Sequence, residues 1–167
     1  INCIAVKNMA EVCNKIGIRF ITFSTDYVFN GKKGDSYTED DNPHPLSIYG
    51  LSKLAGEHLS LIYDTSTVIR TSGLYGLYSL STKNGKGNFI DNRIEDSKNN
   101  NNIEIDNSQI ISSTYTEDLS KAILNLITHP VKLYNLYHFI NEGYCTWFDL
   151  TKETYNILNI EREVVPI

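Results

Sequence analysis

Tyr49 and Lys53 stand four residues apart in Tyr49-Gly50-Leu51-Ser52-Lys53. On a helix that spacing puts both side chains on one face, one turn apart. A nearby ammonium favours phenolate over phenol, so such a pair lowers a tyrosine pKa from about 10 toward working pH. A phenol tuned in this way can donate a proton to a carbonyl oxygen as hydride reaches its carbon, and take it back in reverse. The spacing is common by itself: a chain with 11 Tyr carries roughly 0.7 such pairs by chance. An ordinary surface pair on a helix is the other reading. A second polar group follows in Ser24-Thr25-Asp26, two hydroxyls and a carboxylate after an apolar run. At the carboxyl end of a parallel strand these would face a ligand; in a plain turn they would bond local backbone.

The elements that must hold these groups follow from periodicity. Ile4, Ala5, Met9, Val12, Cys13 and Ile16 predict an amphipathic helix stopped at Gly17. Residues 18–23 predict a strand, and Gly31, Gly34, Pro43 and Pro45 break the loop after it. Ser47 is an N-cap for a helix to about Ile62, so Tyr49 and Lys53 are helical. Residues 67–71 predict a second strand, 73–87 a loop, 88–98 a helix and 103–105 a short strand. Thr116 caps a further helix closed by His129-Pro130, 136–140 is a strand, and Thr146 caps a last helix. In that helix Trp147, Leu150, Tyr155 and Leu158 are candidate buried positions. Strands alternating with helices imply crossovers and a largely parallel sheet, so the fold class is α/β.

The 167 residues have the length of one domain. A formal charge of −5 and a pI near 5.3 exclude a nucleic-acid wrapper or a protein that coats anionic membrane. No apolar run approaches the ~18 residues of a membrane span. Cys3, Cys13 and Cys145 form no zinc-spaced set with His44, His58, His129 or His138. No metal site is expected, and thiols of this kind suit a reducing cytoplasm. The four histidines read as structural or surface groups. Glu39, Asp40 and Asp41 read as a solvated loop face, with loop ordering as the second role. Arg70 either pairs with a carboxylate in the core or faces a ligand.

One ordered series runs through the chain. It comprises Ser24-Thr25-Asp26-Tyr27-Val28-Phe29-x-Gly31, Tyr37-Thr38-Glu39-Asp40-Asp41, Pro43-x-Pro45, Tyr49-Gly50-x-Ser52-Lys53-Leu54-x-Gly56-Glu57 and Ile69-Arg70-Thr71-Ser72. It closely resembles the extended short-chain dehydrogenase/reductase superfamily and, within it, the dTDP-4-dehydrorhamnose reductase family. The resemblance continues through Asn88-Phe89, Asp106, Thr114-Tyr115-Thr116-Glu117-Asp118-Leu119, Tyr137-His138 and Thr146-Trp147.

The resemblance implies a partial Rossmann-like, doubly wound parallel sheet whose first βαβ half is missing, with part of a small substrate-binding lobe. Residues 1–167 would be the C-terminal part of that NAD(P)-binding domain, with segments of the lobe interleaved. It makes Tyr49 the catalytic acid/base. Lys53 holds the nicotinamide ribose and tunes Tyr49, and Thr25 adds a hydroxyl at the substrate carbonyl. It places Tyr49, Lys53 and Asn2 at the cofactor, and Thr25, Asp26, Gly73 and Asn88 at the substrate. The implied reaction is NADPH- or NADH-dependent reduction of the 4-keto group of dTDP-4-dehydro-L-rhamnose. A homodimer is the assembly the resemblance allows. Two other readings stay open: a nucleotide-sugar epimerase or dehydratase of the same superfamily, and a non-catalytic subunit resembling the methionine adenosyltransferase β subunit. Asp26-Tyr27 fits the reductase pattern better than the paired acids of the dehydratases. Cofactor turnover separates an enzyme from a binding subunit.

Three departures stand out. The family's Gly-x-x-Gly-x-x-Gly phosphate turn does not occur in these residues. Gly73 stands where a Trp is common, removing an aromatic platform. Ser113 replaces a Pro. The chain opens at Ile1, on a helix, with Met9 as its one methionine, so the expectation is a piece lacking its first half, and inactive alone.

Overall fold

The computed structural model describes residues 1–77, 87–128 and 135–167. In chain order the elements are α1 (Ile4–Lys15), β1 (Phe20–Thr25), a 3₁₀ turn (Asp26–Val28), α2 (Ile48–Ser60), β2 (Ser66–Thr71), β3 (Leu74–Tyr75), α3 (Phe89–Asn99), β4 (Asn102–Ile105), β5 (Ile110–Ile111), β6 (Thr114–Tyr115), α4 (Thr116–Thr128), β7 (Leu136–His138), β8 (Cys145–Thr146), α5 (Trp147–Leu158) and β9 (Glu163–Pro166). The class is α/β, with parallel sheets, as expected. The closure of α4 by His129-Pro130, and most of the loop after Leu77, lie outside the described residues.

The chain divides into two compact units. The first comprises Ile1–Thr71 and Ala122–Phe139. Its sheet has the order β1-β2-β7, all parallel. β1 and β2 run in register from Phe20 opposite Ser66 to Thr25 opposite Thr71. The middle strand, β2, is buried along its whole length, as a parallel strand covered on both faces should be. Strand β1 starts at Phe20 rather than Ile18. Gly17, at φ +70°, and the bond from Ile18 N–H to Cys13 C=O use Ile18 and Arg19 to leave α1. The same shift carries Ser24 and Thr25 into the strand itself.

Helix α1 corrects the expected burial. Its stripe of Ile4, Met9, Val12 and Ile16 is exposed, and Ala10 is its one buried residue. Ile18 and Phe23 are exposed as well, and in this sheet β1 is an edge strand. Unpaired strand edges and apolar faces recruit other chains. Residues 1–167 are therefore expected to self-associate with rising concentration. Sedimentation showing a monodisperse monomer across a hundredfold range of concentration would contradict this.

The second unit comprises Ser72–Lys121 and Ile140–Ile167. Its core is Ile103, Ile105 and Tyr155, with Phe89, Trp147, Phe148, Ile160 and Val164 packed around them. Tyr155 donates its hydroxyl to the Arg93 carbonyl at 2.6 Å, tying α5 to α3. Thr146 caps α5 in a reciprocal box with Asp149, as its sequence position predicts. Leu158, expected to be buried, is exposed, because the helix ends there at Asn159 in the left-handed region. Strand β4 pairs with β9, β3 with β6, and β5 with β8. The two-residue strands β3, β5, β6 and β8 were not foreseen; a period of two cannot be read in two residues.

Candidate active site

The carboxyl end of β1 is the base of the site. Ser24 and Thr25 are buried there. The Thr25 hydroxyl donates to Asp26 Oδ1 at 2.9 Å and accepts the Tyr27 N–H at 3.2 Å. It thereby caps the 3₁₀ turn that carries Asp26.

Helix α2 supplies the acid/base pair. Ser47 accepts the Gly50 N–H on its hydroxyl at 3.0 Å, so the helix starts where the sequence predicts. Tyr49 lies in the first turn and is 46% exposed. Its ring meets Tyr27 edge to face, with centroids 5.9 Å apart. One turn on, Lys53 donates to the Phe23 carbonyl of β1 at 3.1 Å. Its Nζ lies 6.0 Å from the Tyr49 ring centroid. The predicted shared face is thus present, and Lys53 also anchors α2 to the strand bearing Thr25.

Asn2 acts on the same turn from another side. Its amide donates to Ser52 Oγ at 3.1 Å, and Ser52 donates to the Tyr49 carbonyl at 2.7 Å. Two glycines allow α2 to lie this close. A Cβ on Gly50 would sit 2.1 Å from the Tyr27 carbonyl oxygen, and one on Gly56 would sit 2.2 Å from that of Asn2.

Beneath the helix is a charged cluster in which Arg70 pairs with a core carboxylate, one of its two expected roles; the sequence alone names neither Glu57 nor His138 as its partners. Arg70 is 4% exposed and Glu57 2%. They form a two-pronged pair, Nε to Oε1 at 3.0 Å and Nη2 to Oε2 at 2.7 Å. The guanidinium stacks 5.0 Å from the Phe29 ring centroid, and its Nη1 lies 3.3 Å from His138 Nε2. His138 Nδ1 lies 3.3 Å from the Tyr37 carbonyl, and the His138 N–H donates to Glu39 at 2.7 Å. Burial pushes the His138 imidazole below its ordinary range; the Arg70 cation adds to this, and Glu39 opposes it. Burial works against ionisation of Glu39, but backbone N–H donors, with His138 and Arg70, hold its carboxyl below the usual range. A signal was present: an arginine inside an apolar strand needs a carboxylate, and Glu57 lies one turn beyond Lys53. His138, read as structural or surface, is a member of this cluster, and Glu39 has a loop-ordering role.

Asn88 and Gly73 lie in the second unit. Asn88 caps α3 by accepting the Asp91 N–H at 3.0 Å. Gly73 has φ +52°, and a Cβ there would lie 3.2 Å from Ser113 Cα, so a large side chain would be strained at this backbone. Burial pushes the Cys145 thiol up, which leaves it a poor nucleophile. Among the described residues no cluster of His, Cys, Asp and Glu could hold a metal ion, and no helix is long and apolar enough to cross a membrane.

A family model described as RmlD substrate binding domain matches residues 1–167. The spore coat polysaccharide biosynthesis protein SpsK of Bacillus subtilis is 35% identical, over 100% of this chain and 56% of its own length. The dTDP-4-dehydrorhamnose reductase of Escherichia coli is 32% identical, over 89% of this chain and 49% of its own. Among solved structures, the dTDP-4-dehydrorhamnose reductase of Bacillus anthracis in complex with NADP superposes with a TM-score of 0.89 at 37% identity. That match covers 100% of this chain and 57% of that one. The chain spans about half the length of the curated relatives it matches.

Proposed function

The chain belongs to the RmlD substrate binding domain family, and from that premise we propose that its protein reduces the 4-keto group of dTDP-4-dehydro-L-rhamnose to dTDP-L-rhamnose with NADPH or NADH. The observation that carries the reading is the Tyr49–Lys53 pair on one face of α2, with Lys53 anchored to the strand that ends in Thr25. The first unit is read as part of the nucleotide domain and the second as part of the substrate lobe.

The donor set suits the ribose end of a nicotinamide nucleotide. An ammonium has three N–H donors; Lys53 uses one on Phe23, and two remain for ribose hydroxyls. Tyr49 and Lys53 would hold that end. Asn2 supports it from behind through Ser52. When bound there, a reduced nicotinamide cofactor would supply the hydride for C4 of the sugar. Tyr49 donates its phenolic proton to O4 as the carbonyl becomes an alkoxide, and solvent returns that proton after release. Thr25 donates to the same oxygen when its hydroxyl turns from Asp26, which shares the negative charge building there. Asp26 accepts from a sugar hydroxyl. In the second unit, Gly73 and Asn88 are proposed as substrate contacts. The free thiols Cys3, Cys13 and Cys145 are in keeping with the proposed cytoplasmic location, and a homodimer is the proposed assembly.

The test is substrate-dependent oxidation of NADPH by the full-length protein, with the product alcohol identified by NMR. Cofactor oxidation without that alcohol, or binding without oxidation, would overturn the reading. Lys53→Met should harm both turnover and cofactor affinity, because it removes the ribose donors and the anchor to Phe23 together. Unchanged NADPH affinity by fluorescence titration would remove Lys53 from the cofactor site.

A further inference from the structure

Arg70 touches both ends of the segment that carries the acid/base pair. At one end its guanidinium lies over Phe29, directly after the turn that bears Asp26. At the other it grips Glu57, one helical turn beyond Lys53. In between, it reaches the loop before α2 through His138, which engages Tyr37 by its ring and Glu39 by its backbone. That loop runs into the Ser47 cap and so into the first turn, where Tyr49 sits.

A charge this deep is poor evidence for stability, since apolar residues of equal volume commonly serve as well. What a fork of fixed N–H donors adds is direction. We infer that Arg70 is a positioning residue, one guanidinium that clamps residues 29–57 at both ends and in the middle and so fixes Tyr49 and Lys53 over the end of β1. The inference deepens the proposed reductase reading and rests on it for its kinetic arm alone.

The clamp needs a neutral His138. With its Nδ1–H on the Tyr37 carbonyl, Nε2 accepts from Arg70. The groups facing the ring are Arg70 from β2, Glu57 from α2, and Glu39 and the Tyr37 carbonyl from the loop. Burial already favours the neutral ring at neutral pH. Acidification below the ordinary histidine range turns the acceptor into a donor facing a guanidinium, and the clamp loosens. Turnover should therefore fall on the acid side.

The experiment uses the full-length protein with Arg70→Lys, the apolar double variant Glu57→Leu/Arg70→Met, and His138→Gln. A purely structural pair predicts that the double variant regains both melting temperature and kcat. The clamp predicts recovered melting but kcat down by about tenfold or more, since small misplacements at a reacting centre are costly. KM for NADPH should stay within about twofold, because Lys53 keeps its own anchor to the Phe23 carbonyl and its ribose donors. His138→Gln should abolish the acid limb. Hydrogen exchange of amides 37–42 and 44 should quicken in Arg70→Lys and in the double variant. Wild-type kcat together with wild-type exchange in the double variant would overturn the clamp. A wild-type protein that does not reduce the sugar would overturn the reductase reading instead, and the exchange comparison would still decide the clamp.

Discussion

Tyr49→Phe in the full-length protein is expected to lower turnover by ~10²–10⁴-fold, the usual loss when a general acid is removed, while leaving NADPH affinity nearly unchanged, because Lys53 keeps the main ribose donors. The variant deletes one oxygen and little else. The ring keeps its edge-to-face contact with Tyr27, and Lys53 keeps its bond to the Phe23 carbonyl. Among the described residues the phenol oxygen has no hydrogen-bond partner, so its loss removes no internal bond. Melting temperature should therefore barely move, which separates lost chemistry from lost fold. Steady-state oxidation of NADPH with the 4-keto sugar is the assay. Activity within about threefold of wild type would end the proton-donor role, since even a weak general acid contributes more than that.

The ease of assigning Tyr49 reflects what local sequence encodes. A cap at Ser47 and a spacing of four set the start and face of α2 without reference to the rest of the molecule. The strand ends were harder. Residues 18–23 are apolar and β-prone, but leaving a left-handed Gly17 uses two residues, and parallel pairing with β2 then carries the strand on to Thr25. The α1 stripe shows the limit of periodicity: it marks an apolar face, and cannot say which residues cover it. The two-residue strands of the second unit depend on partners far along the chain. The Glu57–Arg70–His138 cluster includes a contact between residues 68 positions apart, Arg70 and His138. Charge in an apolar strand announced that Arg70 needs a partner, but only tertiary packing chose Glu57 and added the imidazole.

Gly50 is where local preference and tertiary packing give opposite signs for one substitution. By helix propensity alone, Gly50→Ala in α2 should stabilise by about 1 kcal/mol. Yet the new Cβ would lie 2.1 Å from the Tyr27 carbonyl oxygen and 3.1 Å from Pro45 Cβ. The first of these obstacles is backbone and cannot rotate away. The first turn of α2 or the turn at Tyr27 must therefore move by about an ångström. Forced overpacking costs about 1–3 kcal/mol; against a fixed backbone oxygen the cost lies at the upper end and outweighs the propensity gain, so the melting temperature should fall. The movement falls on the residue beside Tyr49 and on the turn that follows Thr25. A shift of roughly 1 Å at such a site can cost about 10²-fold in rate, so kcat should fall by at least tenfold even where the protein stays folded. Circular-dichroism melting and steady-state turnover on one preparation test both parts. A variant that melts higher than wild type and turns over normally would show that α2 does not depend on this close approach, and the placement of Tyr49 against Tyr27 would have to be redrawn.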